Sequence, residues 1–141
     1  MDTGCIIVGV DDSETAFRAA EVAAGLADAL KVPLHVVTAY DLEQTERVGV
    51  GTDTVIVSSY SLARQLVEGV ASRLRLVHPD ITTAAGEGAP HEVLIAEARR
   101  LGARTIVVGN RRMQGIGRLL GSVANDVTHH APCDVYVVKT S

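Results

Sequence analysis

Short apolar runs alternate along the chain with longer stretches in which apolar residues recur every three or four positions. The short runs are rich in Val and Ile and predict five strands: Cys5–Val10, Leu34–Tyr40, Ile81–Ala85, Thr105–Gly109 and Asp134–Lys139. Three of these runs are almost continuously apolar, which is typical of parallel strands that are covered on both faces. We therefore expect a sheet with a layer of helices on each side.

The stretches between these runs have the spacing of amphipathic helices, in which residues three and four apart share a face. The apolar positions with this spacing form four groups: Ala16, Ala20, Ala23, Ala27 and Leu30; Leu62, Leu66, Val70, Leu74 and Val77; Leu94, Ala98 and Leu101; and Leu120, Ala124 and Val127. Alternation of strands and helices predicts an α/β fold, with an open, twisted, parallel five-stranded sheet and right-handed crossovers.

The segment 41–57 departs from this alternation. It carries Gly49, Gly51 and several polar residues without a convincing period, so we predict a long loop between the second strand and the second helix. Loops of that length in a compact domain are commonly functional.

Composition and charge narrow the classes of function. The length of 141 residues predicts one domain, spanning 1–141. Aromatic residues make up only 3% of the chain, the net charge is −4, and Lys and Arg form no run. Binding to nucleic acid or to a membrane surface is therefore not expected. No apolar run reaches the roughly 18 residues of a membrane span, and no signal peptide pattern precedes the first strand, so a cytoplasmic protein is predicted.

The residues after the first strand are the first candidate site, because ligands of open parallel sheets bind beyond the carboxyl ends of the strands. The candidates there are Val10, Asp11, Asp12 and Ser13. Asp11 follows the strand most closely, and its carboxylate can accept hydrogen bonds from ribose hydroxyls but would repel a phosphate. For Asp12 and Ser13, the alternative is that they only cap the following helix.

The residues after the fourth strand favour an anion. Four glycines fall within positions 109–121, and glycine lets the backbone approach a ligand closely and present N–H groups to it. Gly121 and Ser122 open the last helix, whose first amides favour phosphate. The candidates in this segment are Gly109, Asn110, Arg111, Arg112, Gly115, Gly121, Ser122 and Val123. The alternative is a solvated loop with exposed arginines.

Known catalytic and metal-binding patterns are missing from the sequence. The chain has no P-loop, no G-x-S-x-G motif and no cluster of Cys and His at metal-ligand spacing. We expect His35 to pack within its strand and His91 to reach solvent or a partner. His129 and His130 lie near the end of the last helix, where adjacent side chains diverge and where positive charge is favourable.

Several of these segments together resemble the universal stress protein family. They are Asp11–Thr15, Leu34–Val37, Gly88–Glu92 and the closing stretch from Val108 to Val135, so the resemblance covers nearly the whole chain in order. It implies a Rossmann-like sheet of strand order 3-2-1-4-5. Many members pair through their last strand into homodimers, and in this chain that strand is Asp134–Lys139.

The resemblance also implies a ligand. The ATP-binding branch of the family carries G-x-x-G, nine residues, and then G-[ST]; Gly109 and Gly121–Ser122 match the two ends of this motif. Arg112 replaces the second glycine, and eight residues separate it from Gly121. Related proteins, particularly actinobacterial ones, bind cyclic AMP, and the shortened loop suits a single phosphate.

Residue by residue, the resemblance implies that Asp11 faces the ribose or adenine and that the backbone of Val36 meets the adenine edge. The phosphates would be held by Gly109, Gly121, Ser122 and Val123.

The leading hypothesis is therefore a homodimeric, stress-related regulatory protein that binds ATP or cyclic AMP without efficient catalysis. Its alternative is a protein-interaction module of the same fold that binds no nucleotide. A phosphoacceptor receiver domain fits poorly, because the third strand leads to Gly86 and offers no aspartate to phosphorylate. An ATPase that uses Asp11, Asp12 and Glu14 to hold Mg²⁺ with the nucleotide stays open.

Overall fold

The computed structural model describes residues 4–41, 45–50, 53–110 and 121–140. In that part of the chain, strands and helices follow each other in this order: β1 (Ile6–Gly9), α1 (Glu14–Leu30), β2 (Leu34–Tyr40), β3 (Thr45–Val50), β4 (Asp53–Ser58), α2 (Ser59–Leu74), β5 (Ile81–Glu87), α3 (Pro90–Leu101), β6 (Thr105–Gly109), α4 (Ser122–His130) and β7 (Asp134–Val138).

Five parallel strands form the central sheet in the order β5-β2-β1-β6-β7. Leaving aside β3 and β4, which pair only with each other among the described strands, this is the predicted order 3-2-1-4-5, so the predicted fold class is confirmed. The strand boundaries differ slightly from the prediction: β1 is shorter at both ends, whereas β5 continues two residues further, to Glu87.

The predicted long loop at 41–57 is wrong. The chain forms an antiparallel hairpin there, in which β3 pairs with β4 from Thr45 opposite Ser58 to Val50 opposite Asp53. Val48 and Val50 are separated by one residue before 51–52, and Val55, Ile56 and Val57 form a continuous apolar run after it. β-branched residues of this kind are typical of strands.

The sheet separates two cores. Side chains of β1 alternate between them, with Ile6 and Val8 packing towards α1 and α2, and Ile7 packing towards α3 and α4. The α1 side is unusual because five alanines form the buried face of that helix: Ala19, Ala20, Ala23, Ala24 and Ala27. Alanines let the helix backbone lie close to the sheet, so the position of α1 relative to β1 is closely defined.

A buried polar contact joins the other face of the sheet to α3. The ring nitrogens of His35 lie 2.8 Å from Glu97 Oε2 on α3 and 2.7 Å from Thr82 Oγ1 on β5. Arg100 donates to both carboxylate oxygens of Glu97, at 3.0 and 2.8 Å. His35 therefore packs within its strand, as predicted, and it also anchors the middle of α3 to the sheet.

Candidate functional site

A cavity of about 350 Å³ opens at the carboxyl ends of the central strands. This is within the range of volumes found for small-molecule sites, which runs from about 300 to 1,000 Å³. Its walls come from five parts of the chain: Gly9, Val10, Asp11, Ser13, Thr15 and Ala16; Val37, Thr38 and Ala39; Pro90, Val93 and Leu94; Val108 and Gly109; and Gly121, Ser122, Val123 and Ala124. The start of α1 and the start of α4 thus border the same space.

The first turn of α1 uses its own polar groups. Ser13 is the N-cap, and its Oγ accepts a hydrogen bond from the Ala16 N–H at 3.1 Å. The backbone N–H of Ser13 donates to Asp11 Oδ1 at 2.9 Å, and its hydroxyl donates to the same oxygen at 2.5 Å. This network fixes the Asp11 carboxylate at the cavity wall, where it presents negative charge and acceptor oxygens.

The first turn of α4 is built differently. Its N-cap is Gly121, in extended backbone conformation, and no side chain among the described residues caps the helix. The Asn125 N–H donates to Gly121 O at 3.0 Å and makes the first bond of the helix. The amides of Ser122, Val123 and Ala124 come before that bond, so the helix itself offers them no acceptor. They carry the positive end of the helix dipole at the cavity.

The third wall is apolar and comes from α3. Its first residue, Pro90, has no N–H, and Val93 and Leu94 present carbon atoms to the cavity. Two glycines allow α3 to come this close. A Cβ on Gly86 would lie 2.5 Å from a methyl group of Val93, and a Cβ on Gly9 would lie 2.8 Å from a methyl group of Leu94.

Most of the residues predicted for the site meet at this cavity: Val10, Asp11, Ser13, Gly109, Gly121, Ser122 and Val123. Asp12 is exposed and lies outside the lining, as does Val36, whose side chain is fully buried in the core on the α1 side. The side chain of Asn110 is bonded to Thr140 instead. The predicted Arg111, Arg112 and Gly115 lie outside the described residues.

The cavity also contains residues that the sequence patterns do not single out. On β2 the lining consists of Val37, Thr38 and Ala39, because Gly9 pairs with Val37 and the cavity begins at the end of β1. Thr38 donates its hydroxyl to Val10 O at 2.7 Å and so ties the two strand ends together. The register of β2 with β1 places these residues at the cavity.

Metal-binding clusters and membrane-spanning helices are absent from residues 4–41, 45–50, 53–110 and 121–140. No group of three His, Cys, Asp or Glu side chains that could hold a metal ion occurs within these ranges. No helix in them is sufficiently long and apolar to cross a membrane. His91, at the start of α3, lies 3.7 Å from Asp126 on α4, which makes it part of the contact between two helices of the cavity.

Known proteins are similar to this chain in sequence and in fold. The sequence model of the universal stress protein family matches residues 4–139. A universal stress protein of Synechocystis is 44% identical over 54 residues, which are 38% of this chain and 50% of that protein. The match therefore spans half the length of that relative.

Two longer matches cover nearly all of the chain. A Staphylococcus aureus protein named for the same family is 29% identical over 140 residues, which cover 96% of this chain and 83% of that protein. The crystal structure of a universal stress protein in complex with cAMP is 29% identical, with a TM-score of 0.72, and the match covers 98% of both chains.

Proposed function

This chain belongs to the universal stress protein family, and from that premise we propose that it is a regulatory protein that binds an adenine nucleotide, ATP or cyclic AMP, at the cavity between α1 and α4. We propose further that it acts in the cytoplasm as a homodimer and holds the nucleotide without efficient turnover.

The first turn of α4 is the observation that carries this proposal. Ser122, Val123 and Ala124 present three successive amides at the cavity wall, and the N-cap residue Gly121 has no side chain to occupy them. Helix amides of this kind are a ready site for a phosphoryl group, because the hydrogen bonds and the helix dipole both favour negative charge.

The opposite end of the cavity supports a nucleoside. The Asp11 carboxylate offers acceptors to ribose hydroxyls, and the apolar side chains of Ala39, Val93 and Leu94 offer a surface for a base. A relative that matches 98% of this chain has been solved in complex with cAMP, which agrees with a ligand of this class. Seven predicted residues line the proposed site: Val10, Asp11, Ser13, Gly109, Gly121, Ser122 and Val123.

Calorimetric titration of nucleotide-stripped protein with ATP, AMP and cyclic AMP, each with and without Mg²⁺, tests the proposal. Saturable binding with one site per chain supports it. Preference for cyclic AMP would point to a site suited to one phosphate, and preference for ATP with Mg²⁺ would point to a triphosphate site. If none of the three binds, the proposal is wrong and the alternative, a protein-interaction module, takes its place.

For the homodimer we propose pairing through β7, an edge strand of the central sheet. The Asn110 N–H donates to Val138 O at 2.9 Å, so the backbone groups of Val138 face β6. Backbone groups alternate in direction along a strand, and those of Val137 therefore face outwards, where a second copy can pair with them.

The variant Val137→Pro tests this pairing, because proline removes the outward N–H and leaves the bonds to β6 in place. We expect the variant to be monomeric by light scattering, whereas Val137→Ala, which keeps the N–H, stays dimeric. If Val137→Pro is still a dimer, the two copies do not pair through β7.

A further inference from the structure

Asn110, one of the residues predicted for the nucleotide site, uses its backbone N–H and its side-chain oxygen in hydrogen bonds within the protein. Its backbone N–H donates to Val138 O at 2.9 Å. Its side-chain Oδ1 accepts two further hydrogen bonds, from the Thr140 N–H at 2.8 Å and from the Thr140 hydroxyl at 3.1 Å. A single residue thus makes three hydrogen bonds to the end of β7 and the residues that follow it.

Thr140 is well buried for a residue so close to the end of the chain, with 8% of its surface exposed. Its hydroxyl would be 3.4 Å from a Cβ placed on Gly109. Gly109 in turn lines the cavity and directly precedes Asn110. The backbone at the end of β6 therefore borders both the cavity and Thr140.

Thr140 lies beyond the last residue of β7, and its amide donates to Asn110 Oδ1 at 2.8 Å. The exchange of its amide hydrogen consequently depends on how firmly Asn110 is held. A ligand that rests on Gly109 and on the first turn of α4 would restrict the backbone at Gly109 and Asn110.

We propose that Asn110 is a positioning residue that connects occupancy of the nucleotide site to the end of β7 through its hydrogen bonds to Thr140. This inference rests on the proposed function. The ligand in this proposal is the nucleotide, and Asn110 acts on the end of β7 through its bonds to Thr140. Nucleotide binding at the cavity orders Thr140. Without the Asn110 side chain, binding no longer affects Thr140.

Hydrogen exchange at the Thr140 amide, followed by NMR with and without saturating ATP or cyclic AMP, tests the connection. In the wild type we expect exchange to slow about tenfold when nucleotide is bound. In Asn110→Ala the amide exchanges faster without ligand, and nucleotide no longer changes its rate. Asn110→Asp, which keeps an acceptor oxygen at the same place, restores the slow exchange of the unliganded protein.

Asn125→Ala is the matched control, because Asn125 is an exposed asparagine on α4. It should leave the exchange of Thr140 as in the wild type, with and without nucleotide. A role of Asn110 in stability alone would change the rate in the unliganded protein but would not abolish a response to nucleotide.

The two proposals fail in different ways. If calorimetry detects binding and the Thr140 amide of the wild type exchanges at the same rate with and without nucleotide, the role of Asn110 is overturned and the nucleotide site stands. If calorimetry detects no binding, the nucleotide site itself is overturned, and the connection with it. The wild-type measurement decides between these outcomes even if Asn110→Ala does not fold.

Discussion

The starts of α1 and α4 border the same cavity, but their first turns are opposite in character. At α1, Ser13 caps the helix, the Asp11 carboxylate stands beside it, and Glu14 adds an acid to the first turn. At α4 the N-cap is Gly121, the first turn carries no acid, and no side chain among residues 4–41, 45–50, 53–110 and 121–140 caps it. The first helix therefore has a side-chain acceptor for the Ala16 amide within its own first turn, whereas the described residues supply no such acceptor to the first amides of α4.

This difference gives the cavity two unlike ends. Acceptor oxygens are concentrated near α1, and N–H donors are concentrated near α4. A nucleotide has the matching asymmetry, with hydroxyl donors on its ribose and acceptor oxygens on its phosphate. The orientation of the ligand therefore follows from the two caps, with the nucleoside towards Asp11 and the phosphate towards Ser122.

The largest expected effect comes from giving α4 the kind of cap that α1 has. In Gly121→Asp, the new carboxylate accepts from the first amides of α4 and repels phosphate, so we expect AMP to bind about a hundredfold more weakly, a loss of about 2.7 kcal/mol. Calorimetry measures the affinity. Thermal unfolding should show no loss of stability, because the substitution adds a helix cap.

Gly121→Asn is the matched control for charge, since it supplies a neutral cap of the same size. We expect its affinity for AMP to lie between those of the wild type and Gly121→Asp. Adenosine, which has no phosphate, should bind to all three proteins alike. If Gly121→Asp binds AMP as tightly as the wild type does, the phosphate does not bind at the first turn of α4.

A substitution on α3, the third helix of the cavity, should change the stability of the protein without changing its affinity for nucleotide. Hydrogen bonds from Arg100 lower the pKa of Glu97, and the bond to His35 lowers it further. Glu97→Gln should lower the free energy of unfolding at pH 7 by about 1–3 kcal/mol, because a charged acceptor of buried His35 is lost. Nucleotide affinity should change less than twofold.

The pH dependence of the Glu97→Gln effect has a definite sign. A carboxyl with a lowered pKa in the folded state contributes stability above its unfolded pKa, about 4.3, and loses that contribution as pH falls through its folded pKa. The difference between wild type and Glu97→Gln in denaturant titrations should therefore be full at pH 6–7 and shrink below about pH 4. A difference that stays constant down to pH 3 would mean that the charge of Glu97 contributes nothing.

At the α1 end, Asp11→Asn removes the charge and keeps an oxygen that can accept from Ser13. We expect adenosine to bind about tenfold more weakly, because a carboxylate is a stronger acceptor for ribose hydroxyls than an amide. The loss for ATP should be smaller, since the repulsion between Asp11 and the phosphates is also removed. Equal losses for both ligands would show that charge at this end does not act on phosphate.

The smallest effect is expected for the cap of α1 itself. Ser13→Ala leaves the Ala16 amide without its acceptor and should cost about 1 kcal/mol of stability. Denaturant unfolding measures this loss. Affinity for AMP should fall less than threefold, because the donors that bind the phosphate belong to α4; a large fall would make Ser13 a ligand group in its own right.

Much of the fold follows from patterns within single segments. Continuous Val and Ile runs and helical spacing predict the five central strands and four helices, and chain order then limits the topology. The same reasoning found Asp11, Gly109, Gly121 and Ser122, since strand ends and helix starts are visible in the sequence and both are places where ligands bind.

The parts of the site that the sequence did not predict depend on contacts between segments that are distant in the sequence. The resemblance implies the backbone of Val36, whereas the cavity is lined on β2 by Val37 to Ala39, because the point where β2 reaches the cavity is set by its register with β1. The role of Asn110 depends on Thr140, thirty residues away in sequence. The hairpin has a different explanation. The glycines at 49 and 51 favour a loop, and they outweighed the strand propensity of the valines on either side of them.

The alanine face of α1 determines how much change the framework beneath the site tolerates. Its five buried methyl groups leave no space for larger side chains, so a systematic mutational scan should find a row of positions that reject almost every replacement although none is among the cavity lining. Gly25 lies on the open side of the same helix, with no atom within 4 Å of a Cβ placed on it. Gly25 should accept nearly any residue except proline, which would break the helix. Intolerance at the five alanines would therefore reflect the close packing of α1 on the sheet and not contact with a ligand.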